Sequence, residues 1–159
     1  DWLYNETIIE KIAHEFLDSD IDAVYGDLVF VESINSKHPK RVWISQDYKP
    51  NMFAKGWVPP HPTFYARLSA YHKHGSFNSS LKFAADFDIM CRFIVNKNIL
   101  VKYLPGIKVK MRLGGATTKS LKNIIKGNIE IYKSLKSNKI PINLLFFFYK
   151  IITKIKQYS

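Results

Sequence analysis

Cysteine is almost missing from this chain. Cys91 is the single one among 159 residues, which excludes an intrachain disulfide or a cysteine-cluster metal site and suits a reducing compartment. No apolar run approaches the roughly 20 residues that a bilayer-spanning helix needs; the densest, at 142–149, is far too short. Internal repeats and low-complexity linkers are missing as well. The opening Asp1-Trp2-Leu3-Tyr4-Asn5-Glu6 has neither the basic start nor the apolar stretch of a secretory signal. It also lacks an initiator Met, so a longer protein upstream is expected. Acids are scarce in one region only. Residues 1–101 carry 11 Lys and Arg against 12 Asp and Glu, whereas residues 102–159 carry 13 against one, Glu130. The first part has the balance of an ordinary soluble domain, the second that of an arm for an anionic partner.

What is present suffices for a core: 47% of residues are apolar and 14% aromatic, in a length that suits about one domain. Ile8, Ile9, Ile12, Ala13, Phe16 and Leu17 recur at helical spacing and predict an amphipathic helix over 5–17, with Thr7 and Glu10 as a capping box. Residues 23–31 read as a buried strand with Gly26 as a bulge or close approach. A turn at 35–39 allows 41–45 to return as a hairpin partner. Pro50, Pro59, Pro60 and Pro62 with Gly56 make 46–62 a loop, because proline breaks both helix and central strand. A short strand at 63–67 and a helix at 68–74 stopped by Gly75 follow. Apolar spacing then predicts a helix over 85–95, strands at 99–104 and 107–112 around Pro105-Gly106, and helices at 119–135 and 141–157.

Three stretches stand in order: Pro60-His61-Pro62-Thr63-Phe64-Tyr65-Ala66-Arg67, Gly75-Ser76-Phe77, and Ala84-Ala85-Asp86-Phe87-Asp88-Ile89-Met90-Cys91-Arg92. They resemble the acceptor half of bacterial family 2 glycosyltransferases, inverting enzymes of the GT-A fold. That family often shows a His-Pro or His-Gln pair before a Thr-Phe strand, then Gly-x-Phe, then a Glu-Asp or Ala-Asp pair opening a helix that reads Asp-x-Asp-Leu-x-x-Arg. Gly114-Gly115-Ala116-Thr117 is similar to the family's Gly-Gly-x-Ser turn, Tyr25-Gly26-Asp27 to a core strand, and Asp1-Trp2-Leu3-Tyr4 to the end of its metal-binding acidic motif. The likeness covers residues 1 to about 118 in the family's order.

The resemblance implies an α/β fold: the C-terminal part of a GT-A nucleotide-diphospho-sugar transferase mixed sheet with flanking helices, followed by a basic helical extension. The expected division is residues 1–118 for the transferase portion and 119–159 for the extension. The sequence departs from the family at its front, where the nucleotide-binding half is absent from these residues, and this piece alone is not expected to turn over. The implied reaction is hexosyl transfer with inversion from a nucleotide-sugar donor to a saccharide or lipid-linked acceptor, in cell-surface polysaccharide synthesis. Asp86 takes the place of the catalytic base, and a carboxylate at a helix start facing a cleft suits removal of a hydroxyl proton. His61, Thr63, Trp57 and Arg92 are the expected substrate-binding residues. Asp1 is the expected ligand of a divalent ion, Mg or Mn, both of which favour hard oxygen donors.

Plainer roles compete for the same residues. Asp86 suits a helix N-terminus without any catalysis. Asp88 and Arg92 are spaced for an i,i+4 ion pair. Trp57 suits a buried anchor as well as a sugar-stacking platform, and Lys119, Lys122, Lys126, Lys133 and Lys136 suit an ordinary solvated helix face. The dense apolar residues of 142–155, with Lys150, Lys154 and Lys156 around them, suit a helix lying on an anionic membrane surface or closing a homodimer. A cytoplasmic protein, peripheral on the inner face of the cell membrane, is therefore expected. The other function class is a basic membrane-surface or nucleic-acid-binding module without catalysis. Nucleic acid is not the expected partner, because the charge is confined to the last third and no helix-turn-helix, zinc-finger or RNA-stacking signature is present.

Overall fold

Nine consecutive residues, Ala23–Val31, are all buried and form strand β2. A strand covered on both faces has no use for polar alternation, and the run Ala-Val-Tyr-Gly-Asp-Leu-Val-Phe-Val accordingly shows none. The computed structural model describes residues 1–114, 120–142, 146–155 and 157, the side chains of Thr153 and Lys154 excepted. It is a mixed α/β structure built on a five-stranded open sheet. Strand β5 (Val101–Arg112) runs parallel to β2, while β3 (Arg41–Trp43) and β4 (Tyr65–Ala66) pair antiparallel with β2. The short β1 (Trp2–Leu3) lies antiparallel on the far side of β5.

Helices cover both faces. Helix α1 (Ile8–Glu15) packs Ile8 and Ile12 onto Val24, with Leu104 beside them. Neighbouring strand residues point to opposite faces, so Ala23 meets a different set. There helix α3 (Ala85–Met90), its π-helical continuation Cys91–Asn96, helix α4 (Leu121–Ser137) and helix α5 (Phe146–Ile155) share one core through Ile89, Phe93, Leu135 and Phe146. Helix α2 (Leu68–His74) adds Ala70, and Gly75 ends it with φ +87°. Among the described residues no helix is long and apolar enough to cross a membrane.

Several expectations change on contact with the structure. The division at residue 118 does not divide the core, because Leu135 and Phe146 from the basic part pack against Ile89 and Phe93. The strands read at 99–104 and 107–112 are one strand, β5, in which Pro105-Gly106 sits in a bulge: Tyr25 faces Tyr103 but Asp27 faces Ile107. Proline has no N–H to give to a ladder, and a bulge removes that need. The capping box at α1 is not formed; the Thr7 side chain bonds Asn5 Oδ1 instead. Gly115, Ala116, Thr117, Lys119, Leu144, Leu145 and Lys156, together with the Lys154 side chain, lie outside the described residues.

The bulge also explains Gly26 and Asp27. A Cβ on Gly26 would stand 2.5 Å from Lys108 Cγ and 2.8 Å from the Leu104 carbonyl oxygen. Asp27, buried beside it, accepts from the Ser45 N–H, the Tyr103 hydroxyl and the Gly106 N–H, each at 2.8 Å. Buried carboxylates persist only when so satisfied. Gly26→Ala is expected to cost about 1–3 kcal/mol, the usual range for forced overpacking, measured by chemical denaturation; unchanged stability would show that the β2–β5 contact yields freely.

Candidate active site

Helix α3 begins in an unusual way. Its N-cap position is Ala84, which has no side-chain acceptor, yet the N–H groups of Phe83 and Ala84 are not left open. Glu130, reaching across from α4, accepts from both through one carboxylate oxygen, at 2.6 and 3.0 Å. The single acid of the basic part therefore supplies the negative charge that the start of α3 favours. Asp86, one turn-fraction further on, caps nothing beyond its immediate neighbour: its Oδ1 accepts from the Phe87 N–H at 3.1 Å.

Asp86 instead lines a hollow of about 500 Å³ between the sheet end, the proline loop and helices α3, α4 and α5. Its side chain is 40% exposed there, and Oδ2 lies 3.3 Å from Nε2 of His61, itself 42% exposed. Two features of the loop aim His61. Residues His61–Thr63 form a 3-10 turn that starts with Pro60 held extended. The buried Thr63 hydroxyl then fastens the turn to β2, accepting from the Gly26 N–H at 3.2 Å and sharing its proton between the Gly26 and Pro60 carbonyls at 2.9 and 2.8 Å. Burial holds the His61 imidazole below its ordinary value, and the facing Asp86 carboxylate partly offsets this. A neutral imidazole can donate one N–H to the carboxylate or to a bound hydroxyl.

The remaining walls are apolar and cationic. Phe83, Phe87, Met90 and Ile131 line the hollow, and Arg41 from β3, Arg112 from the end of β5 and Lys150 from α5 bring three positive charges to it. Sequence reasoning missed those cations, which are remote from Asp86 along the chain and meet it only through the sheet and α5. Lys150, which its sequence neighbours suggest for a membrane face, lines the hollow instead, and its ammonium donates to Asn128 Oδ1 at 3.1 Å. Glu130 stands out in the sequence as the lone acid of the basic part, but no spacing along the chain assigns it the start of α3.

The other expected site residues are placed as follows. Asp1 lines an adjoining hollow that shares Met111, Arg112, Leu113 and Gly114 with the first. Thr63 is fully buried and its hydroxyl is committed to backbone, so it positions His61 and cannot meet a substrate. Trp57 does not line the hollow; it is wedged among Tyr25, Tyr48 and Phe53 at ring separations near 6 Å. Arg92 is turned away as well, donating to the carbonyls of His74, Gly75 and Ser76 at 2.5, 2.8 and 2.6 Å, with Asp88 at 3.8 Å. It closes the end of α2. Asp88 is buried against Ser134 and Asn138, at 2.8 and 3.2 Å, and serves the α3–α4 contact. Burial pushes the Cys91 thiol up, far from a reactive thiolate.

A divalent ion finds a poor donor set here. Asp1 offers one carboxylate beside Arg112, and no group of three His, Cys, Asp or Glu that could hold a metal occurs among the described residues. These residues do not by themselves fit a held Mg or Mn, which takes its ligands from several oxygens.

Two outcomes are expected. Glu130→Ala leaves two N–H groups at the start of α3 without their charged acceptor and is expected to cost about 1–3 kcal/mol, read from denaturation curves. The His61 imidazole, followed by NMR, is expected to titrate below 6.5, and lower still in Asp86→Asn, which removes the charge that favours protonation. Because the unfolded chain then binds the proton more readily, the His61 contribution to stability is present above that ordinary value and is lost as pH falls from it through the lowered folded value.

No family model matches the chain, and neither a curated protein nor a solved structure does.

Proposed function

We propose that the hollow around Asp86 is the acceptor side of an inverting, nucleotide-sugar-dependent glycosyltransferase of the family 2, GT-A type, acting in cell-surface polysaccharide synthesis at the cytoplasmic face of the membrane. One observation carries the reading. Asp86 stands half-exposed on the wall of an open hollow while Glu130 does the work at the helix start that would otherwise account for an acid there. A carboxylate that spends Oδ1 on the neighbouring Phe87 N–H and turns Oδ2 to a cleft has the disposition of a general base.

In the proposed reaction the acceptor hydroxyl lies against Asp86. The carboxylate takes the hydroxyl proton as the oxygen forms its bond to the anomeric carbon. On the opposite face the bond from that carbon to the diphosphate oxygen breaks, and the nucleoside diphosphate leaves with the electron pair. His61 at 3.3 Å orients the base, the role that a hydrogen-bonding neighbour plays for any positioned carboxylate. Arg41, Arg112 and Lys150 supply positive potential on the same wall, which favours a phosphate-bearing substrate and the charge that develops on it. Phe83, Phe87 and Met90 give these charges a partly apolar surround, in which their interactions are stronger than in bulk water. Asp86 carries the proton transfer in this chain, and Asp1 would contribute at most one carboxylate toward a Mg or Mn ion.

The test is nucleotide release from a panel of nucleotide sugars by the longest natural protein that carries this chain. Asp86→Asn is expected to lower turnover by about 10²–10⁴, the usual contribution of a general base, with donor affinity nearly unchanged. Retained turnover removes Asp86 from the role. No release from any donor by the unaltered protein favours the competing class, a basic module without catalysis.

A further inference from the structure

Among the described residues the longest exposed apolar stripe on a helix is that of α4, and the transferase reading makes no use of it. Leu121, Ile125, Ile129 and Tyr132 are 79, 59, 48 and 47% exposed. Their spacing of four, four and three residues places them in one stripe along the helix. Exposed large aliphatics in a row differ from the scattered single ones that any surface tolerates. Lys122, Lys126, Lys133 and Lys136, also exposed, fall on the arc directly beside that stripe. The inward face is separate: Gly127, Ser134 and Leu135 are buried. Glu130, the only acid of the helix, is turned to the start of α3 and held there by two backbone N–H groups. The outer face of α4 therefore carries apolar bulk and positive charge with no acid between them.

We propose that this face of α4 docks on the surface of an anionic lipid bilayer, with Leu121, Ile125 and Ile129 inserted at the acyl boundary and the four lysines against the headgroups. Charge complementarity selects the occupant. A second copy of the chain would bring one row of lysines near another, with no acid on this face to pair them, at a cost in repulsion. A nucleic acid would meet the lysines but leave the isoleucines in water. An anionic leaflet satisfies both arcs at once, and a tyrosine ring on the stripe suits the headgroup level. The assignment differs from the one that the sequence suggested, in which the apolar run at 142–155 lies on the membrane. Phe146 of that run is in the core, packed with Phe147 on the same side, so the run is partly spent on folding. The proposal is independent of catalysis at Asp86.

The experiment is co-sedimentation of the full chain with vesicles of phosphatidylcholine alone and of phosphatidylcholine mixed with phosphatidylglycerol, at low and raised salt. Two variants accompany it: Lys122→Gln/Lys126→Gln/Lys133→Gln/Lys136→Gln, and Ile125→Ser/Ile129→Ser. All of these side chains are exposed, so folding is expected to persist and is checked by thermal denaturation. The wild-type chain is expected to bind the phosphatidylglycerol vesicles, weakening with salt, and not the neutral ones. At about fivefold per lysine near such a surface, the quadruple variant is expected to lose several hundred-fold in affinity. Loss of two inserted isoleucines is expected to cost at least about tenfold. Absence of binding to anionic vesicles at low salt overturns the proposal, as does equal binding to both lipids. Binding that survives the isoleucine variant but not the lysine variant marks a general polyanion site and overturns insertion. A dimer in sedimentation velocity that the isoleucine variant dissolves overturns it in favour of self-association.

Discussion

The carboxylate of Glu130 reaches from α4 to the backbone N–H groups of Phe83 and Ala84, and the orientation of α3 depends on it. Without a charged acceptor those two donors would be exposed at the rim of a largely apolar hollow, and the start of the helix would lack its partner. With it, α3 is pinned to α4, Asp88 turns inward to Ser134 and Asn138, and Asp86 is left pointing outward. Two carboxylates separated by one residue thus take opposite duties. Helical geometry puts them roughly 200° apart, and the α4 contact decides which of them faces the hollow.

The opposite wall depends on a second buried carboxylate. Asp27 collects donors from the loop after β3, from the Tyr103 ring and from the bulge at Gly106. It thereby binds β5 to β2 where the ladder is irregular. Burial and the neighbouring Asp27 together push the Tyr103 hydroxyl up, so that it remains a donor. Lys108 is buried close by, with its ammonium on the Pro105 and Gly106 carbonyls at 2.8 and 2.6 Å, and burial lowers it while Asp27 opposes that effect. Gly26 is the residue that lets Lys108 lie against the strand. Beyond this network β5 delivers Arg112 to the hollow, and β3 delivers Arg41.

The basic part of the chain divides its labour between two sides of the same helices. Inward, Leu135 and Phe146 complete the core and Lys150 faces the hollow. Outward, α4 presents lysines beside uncovered aliphatics. The two proposals, a site for a phosphate-bearing substrate and a lipid-facing surface on α4, together point to amphiphilic substrates, and each test leaves the other separable.

Local pattern was enough for much of the architecture. The run at 23–31 announced a buried strand, Gly26 a bulge or close approach, the prolines of 46–62 a loop, Gly75 a helix stop, and the apolar spacing after residue 118 a helical end. Each of these follows from neighbouring residues: steric limits on proline and glycine, apolar periodicity, and burial of continuous hydrophobic runs. Asp86 and His61 were also readable as candidates, and the structure brings them to 3.3 Å of each other. Thr63, Trp57 and Arg92 were legible as important but not as to their task, because an hydroxyl, an indole and a guanidinium serve backbone and substrate equally well until their neighbours are known. What only the tertiary structure decided was which polar groups were already satisfied. Glu130 lies 46 or 47 residues from the N–H groups it accepts from, and Arg41, Arg112 and Lys150 come from three distant elements. A hydrogen bond is set by distance and angle in space, and no spacing along the chain encodes that.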